Sequence, residues 1–241
     1  MSRRSASSLW DAVRHAGFDR DPRLWTSDTS IALRDLARGS ALARPLEDVR
    51  GRTALLRTSD QLTAALALIE IDGAVRRLVL CPPDLDDAHL PYVIKTAGVD
   101  VIVTDRQQDA VTDLRIDDIV RCERTIRQRP IDRTATHDTE WILFTSGTTG
   151  VPKMVVHALT TLTGAIKSTG NLAGRVHWGT FYDVRRYGGL QILLRALLGG
   201  GSLVLSSAAE ATAAFLTRAR EHDVTHATGT PSHWRRALMS G

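Results

Sequence analysis

Residues Thr145-Ser146-Gly147-Thr148-Thr149-Gly150-Val151-Pro152-Lys153 concentrate groups that grip anions. Six consecutive positions hold two glycines, one serine and three threonines, and a lysine follows three residues later. Glycine allows a backbone to approach a ligand closely. Successive backbone N–H groups and hydroxyls can surround phosphate oxygens, and a lysine adds a compact positive charge. The spacing is not that of a Walker loop, which has four residues between its glycines and ends in Gly-Lys-Ser/Thr. On residue chemistry alone two readings stand side by side, a phosphate cradle and a flexible surface turn.

Other reactive side chains are sparser. Asp183, Arg185, Arg186 and Tyr187 cluster in the segment Phe181 to Gly189, and His157 follows the loop lysine by four positions. His222, His226 and His233 flank Gly229-Thr230-Pro231, with no cysteine or carboxylate spaced to complete a metal site. No metal centre is expected. Cys81 and Cys122 lack ligand spacing and read as free thiols of a cytoplasmic protein.

These residues need a frame. The 241 residues are 43% hydrophobic and 24% charged, which suits a globular α/β chain with a sizeable core. No apolar run reaches the length of a membrane span. The net charge of +4 raises the question of nucleic acid, but the basic residues are dispersed among acids, and none is expected as a partner. The densest basic stretch, Arg121 to Arg133, reads as a solvated connector.

Apolar runs alternate with helical patterns from residue 53 onward. Strands are expected at Thr53–Arg57, Arg77–Cys81, Val99–Thr104, Trp141–Phe144, Met154–Val156, Ser202–Leu205 and Val224–Thr228. Helices are expected from Thr58 to Ile71, Asp86 to Ala97, Leu159 to Leu172, Leu190 to Leu198 and Ala208 to Glu221, with a last one after Pro231. Two further helices are expected near Leu9–Ala16 and Thr29–Arg38. Such alternation predicts mostly parallel sheets flanked by helices. The chain is expected to divide into a first lobe, 1–130, with a helical N-terminal extension, and a second lobe, 131–241, carrying the loop.

The loop resembles the signature Thr-Ser-Gly-Ser/Thr-Thr-Gly-x-Pro-Lys of the acyl-adenylate-forming superfamily, which includes acyl-CoA synthetases, nonribosomal peptide adenylation domains and firefly luciferase. Thr145 through Lys153 meet every specified position. The resemblance extends, less specifically, over most of residues 50 to 240. It implies the N-terminal domain of that fold, incomplete at its C-terminus. It also implies that Thr145, Ser146, Gly147, Thr148, Thr149, Gly150 and Lys153 hold the phosphates of ATP, with Mg²⁺. The parent reaction joins a small-molecule carboxylic acid to AMP, followed by transfer to coenzyme A. Asp183, Arg186, Tyr187 and Gly229 are placed by the same resemblance around the acid.

The sequence also departs from that pattern. Met154 stands where the family has glycine, and the Pro-x-x-His segment is replaced by Phe181 to Gly189. The family's Tyr-Gly-x-Thr-Glu motif and C-terminal lysine are absent; the lysines are Lys95, Lys153 and Lys167 alone. No residue is therefore assigned to catalysis itself. A separate chain supplying the later part is one expectation, and a catalytically incomplete nucleotide-binding or interaction protein is the alternative. Truncation is expected to leave apolar surface, with Leu193, Leu194, Leu197 and Leu198 as candidates.

Overall fold

The computed structural model describes residues 8–107, 118–145, 150, 152–166 and 176–240. In chain order the strands are β1 (Arg23–Trp25), β2 (Ser30–Ala32), β3 (Gly39–Leu42), β4 (Thr53–Leu56), β5 (Arg77–Leu80), β6 (Val101–Thr104), β7 (Ile119–Gln128), β8 (Glu140–Thr145), β9 (Lys153–Ala158), β10 (His177–Thr180), β11 (Ser202–Leu205) and β12 (His226–Thr228). The helices are α1 (Leu9–Ala16), α2 (Gln61–Ile71), α3 (Leu90–Ala97), α4 (Leu159–Thr163), α5 (Tyr187–Leu198), α6 (Thr212–Glu221) and α7 (Pro231–Met239).

Two sheets result. A seven-stranded sheet runs β3-β7-β6-β4-β5-β8-β9, and a five-stranded sheet runs β12-β10-β11-β1-β2. The ladders are parallel except at the margins, where β3, β9 and β2 pair antiparallel. The expected mostly parallel α/β architecture is therefore present. Sheet membership cuts across the expected boundary at residue 130. β8 and β9 complete the first sheet, while β1 and β2 join the second.

The core lies between the sheets. α2 packs on β3 and β7, α5 packs on β10 and β11, and α1 touches both helices. α2 begins where Asp60 caps it by accepting from the Thr63 N–H, and every one of its residues is buried. A helix that is apolar on nearly all sides belongs in an interior layer. β4 shows why the sheet is covered on both faces: Ala54 and Leu56 enter the central core, whereas Leu55 packs on the far side with α3 residues Leu90 and Val93.

Three expectations change. Thr29–Arg38 is not an α-helix; β2 is followed by a short 3-10 helix, Leu33–Ala37. The backbone there pairs with β1, which in turn lies parallel to β11 with Leu24 opposite Leu203. The stretch Arg121–Arg133 is no solvated connector. It forms most of β7, with Val120 and Cys122 buried, and its arginines reach carboxylates: Arg124 to Asp28, Arg127 to Glu123, and buried Arg133 to Glu70. Leu193, Leu194 and Leu197 are buried beneath α5 rather than exposed, because α1 and the second sheet cover them. The exposed apolar side chains include Val155 and Val156 on edge strand β9, and Trp234, Leu238 and Met239 on α7. The part of the expected Leu159–Leu172 helix beyond Ile166 lies outside the described residues.

Candidate active site

The loop is held between two paired strands. Trp141 in β8 is fully buried, and its indole N–H donates to Asp72 Oδ1 at 2.8 Å. β8 lies parallel to β5 and antiparallel to β9, with Thr145 opposite Lys153. The first and last residues of the motif thus face each other across a strand pair, which fixes the loop's two ends. Ser146 to Thr149 and Val151 lie outside the described residues. Gly150 has φ +81, a left-handed conformation suited to glycine, and an added Cβ would meet no atom of the described residues within 4 Å. Lys153 is exposed.

The carboxyl ends of parallel β4, β5, β6 and β8 open on the same edge of the sheet, where α/β proteins place their ligands. A cleft of about 270 Å³ sits there. The loop contributes Thr145, Gly150 and Pro152 to it, the turn after β5 contributes Asp84, Asp86 and His89, and Arg186 closes the remaining side. Sequence reasoning missed the contribution of the β5 turn. Its only local signal is Pro82-Pro83-Asp84, which ends the strand and turns the chain outward.

The four residues expected around an acid are not equivalent. Arg186 lines the cleft and forms an ion pair with Asp84. Asp183 does not line it; both its carboxylate oxygens bind buried Arg185, at 2.8 and 2.6 Å. The Arg185 guanidinium also donates to the carbonyl of Thr58, tying this segment to the end of β4. Asp183 and Arg185 thus position the loop before α5. Tyr187 is exposed, with its ring 6.1 Å from that of His157 on β9. Gly229 packs under Phe181 and His233, where an added Cβ would lie 2.8 Å from the Phe181 ring.

His222, His226 and His233 and the two cysteines serve packing. His222 stacks on Trp25 at 4.6 Å, and His226 lies 4.8 Å from Trp178. His233 stacks on Phe181, and its ring nitrogen meets the Thr230 N–H at the start of α7. Burial, followed by nearby Arg218, holds His222 below the usual histidine range. Burial also lowers His233, with a further contribution from Arg236. Among the described residues no three His, Cys, Asp or Glu side chains converge on a metal position. Burial pushes the Cys81 thiol up to about 11 and raises Cys122 further. Both therefore stay protonated and unreactive near neutral pH.

The loop bearing Arg186 rests on Gly189 at the start of α5. A Cβ there would stand 2.1 Å from the Asp183 carbonyl oxygen. Gly189→Ala is expected to lower stability by about 1–3 kcal/mol through this overlap and to shift Arg186 from the cleft. Gly188→Ala should be tolerated, since its nearest neighbour would be Tyr182 at 3.7 Å. Denaturant unfolding of both variants checks the contrast; equal stabilities would count against it.

Comparison with known proteins agrees with the architecture. The family model described as AMP-binding enzyme matches residues 53–241. No curated protein sequence matches the chain. Among solved structures, o-succinylbenzoate CoA synthetase (MenE) from Bacillus subtilis, in complex with the acyl-adenylate intermediate OSB-AMP, superposes with a TM-score of 0.74 at 18% identity. That match covers 96% of this chain and 64% of the MenE chain. The N-terminal subdomain of Klebsiella oxytoca NpsA, in complex with 3-hydroxybenzoyl-AMSN, gives 0.67 at 17% identity, covering 100% of this chain and 72% of that one. VinN in complex with L-aspartate gives 0.65 at 16%, covering 95% and 63%. The chain therefore spans about two thirds of the length of these neighbours, and with most of its residues matched by the family model it belongs to the AMP-binding enzyme family.

Proposed function

We propose that this chain carries the polyphosphate-binding part of a site that activates a carboxylic acid with ATP. The observation that carries the reading is the pairing of the motif's two ends, Thr145 on β8 and Lys153 on β9, at the carboxyl edge of a parallel sheet. MenE is described with ATP and magnesium ion, with AMP and with an acyl-adenylate, which supports nucleotide use on this fold.

In this reading a carboxylate oxygen attacks the α-phosphorus of ATP. The bond from that phosphorus to the bridging oxygen breaks, and pyrophosphate leaves with the electron pair. Hydroxyls and backbone N–H groups of Thr145 to Gly150, with Lys153, would hold the β- and γ-phosphates and offset the charge that accumulates on the leaving group. The described residues alone do not assemble an Mg²⁺ site, so no protein ligand is assigned to that ion and no step depends on it. Transfer of the acyl group to the thiol of coenzyme A is the second half-reaction of the proposal. It is supported by a MenE structure bound with the product analogue OSB-NCoA.

Tyr187 and His157, beside the loop strand, are the candidates for contact with the acid. We place completion of the site in further polypeptide, in the same chain or a separate one, and the reaction in the cytoplasm. No described helix is long and apolar enough to cross a membrane.

Titration calorimetry with inorganic pyrophosphate tests the reading. The expected dissociation constant is on the order of millimolar, or about 4 kcal/mol. Lys153→Ala should weaken binding about tenfold, because a charge-assisted contact contributes about 1.5–3 kcal/mol when shielded from water. Its fold should persist, since the side chain is exposed. Equal binding by wild type and Lys153→Ala would favour the alternative, a scaffold or interaction protein without the phosphate chemistry.

A further inference from the structure

The cleft beside the loop has a charge arrangement that is wrong for an anion unless one ion pair opens. Asp84 and Asp86 lie on one wall, and Arg186 is the only lysine or arginine among the described residues that line it. In the resting chain Arg186 Nη2 donates to Asp84 Oδ1. A polyphosphate at Thr145 and Gly150 would meet two carboxylates and a cation already neutralised.

That pair is built to exchange. The side chains of Arg186 and Asp84 are 47% and 67% exposed. Ion pairs this open to solvent are weak. The Arg186 backbone is anchored instead, its N–H donating to the Asp183 carbonyl at 3.1 Å and its carbonyl accepting from the Leu190 N–H at 2.8 Å. Rotation of the side chain alone can therefore redirect the guanidinium while the start of α5 stays in place. A phosphate offers that planar fork two acceptor oxygens and more negative charge than one carboxylate.

We propose that Arg186 is a second polyphosphate-binding residue beside Lys153, and that Asp84 is its resting partner, displaced when polyphosphate enters and restored when it leaves. The proposal rests on the phosphate-loop reading above. It assigns Arg186 to the leaving group rather than to the acid.

Calorimetric titration of inorganic pyrophosphate into the full chain tests it with five variants. Arg186→Ala should weaken binding about tenfold, the scale of one charge-assisted contact. Asp84→Asn should tighten binding roughly threefold or more, by releasing Arg186 from a weak exposed pair. In the Arg186→Ala background, Asp84→Asn should change affinity by less than about twofold, because the latch then has nothing to hold. An undiminished effect of Asp84→Asn in that background would mean simple charge repulsion and overturn the proposal. Binding lost in Lys153→Ala but unchanged in Arg186→Ala would also overturn it, while leaving the phosphate-loop reading intact. No pyrophosphate binding by the wild-type chain would overturn both. Arg186→Gln, with unchanged circular dichroism and the same weakening, would separate loss of charge from loss of fold.

Discussion

Glu70→Ala is expected to destabilise the chain by about 3–5 kcal/mol, the usual consequence of leaving one member of a buried ion pair alone. Glu70 sits near the end of α2, on a helix without an exposed face, and is itself almost inaccessible. It accepts from Ser40 Oγ at 2.7 Å, from the Ala41 N–H at 2.6 Å and from Arg133 Nη2 at 2.8 Å. Arg133 is 6% exposed, lies 4.7 Å over the Trp10 ring and also donates to the Gly39 carbonyl. Burial alone already disfavours its charge. Removing the carboxylate would strand that guanidinium, a hydroxyl and a backbone N–H at once. Glu70→Gln, which keeps an acceptor but no charge, should fall between alanine and wild type. Urea unfolding checks the series, and a loss below about 1 kcal/mol for Glu70→Ala would show that the pair contributes nothing beyond what a surface pair does.

The second large effect is a dependence on pH. Asp72 accepts from the Leu9 N–H at 2.6 Å and from the Trp141 indole, yet burial outweighs these bonds and pushes its carboxyl from 3.8 up to about 6. The sign is opposite to that of a salt-bridged aspartate. The folded chain binds a proton at Asp72 more readily than the unfolded chain does. Between about pH 4 and pH 6 this group therefore favours folding more as the pH falls, and the contribution disappears as pH rises through the folded-state value. In full it amounts to something on the order of 3 kcal/mol, about half of it gained by pH 5. Asp72→Asn cannot titrate. The stability difference between wild type and Asp72→Asn should therefore grow in favour of wild type on going from pH 7.5 to pH 5. A difference that stays flat over that interval would contradict the assignment. The same residue links the start of α1 to β8, so its protonation bears on the strand that leads into the Thr145–Lys153 loop.

Much of the site was legible because its information is local. The run Trp141–Phe144, the glycines and hydroxyls that follow, and Met154–Val156 announce strand, loop and strand from consecutive residues, and β8 and β9 occupy those places. α2 was legible for the same reason, its N-cap and apolar run standing together. What escaped depends on distant partners. β1 and β2 are three residues each, too short for an alternating pattern, and exist because β11 offers a template. β10 went unread, and its Trp178 and Gly179 pair with both β11 and β12. β7 was obscured by its arginines, one of which, Arg124, finds its carboxylate partner Asp28 in a remote segment; just beyond the strand Arg133 does the same with Glu70. The Asp84–Arg186 pair joins residues 102 apart, and no periodicity marks it.

The pairing of β1 with β11 also sets a timetable for the chain's birth. The Arg23 N–H donates to Ser202 Oγ, 179 residues downstream. At ribosomal speeds of about 5–20 residues per second, the earliest strand waits roughly 10–40 s for its partner to be made. During that interval β3 through β9, all encoded before residue 160, can assemble as a unit. Leu24 and Trp25, with β2 behind them, meanwhile present an unpaired edge. The five-stranded sheet is thus the late-forming half, and closing so long a loop makes its formation slow. A nascent chain halted before Ser202 would hold the framework of the Thr145–Lys153 loop complete while its first strands remain available to whatever binds open β edges.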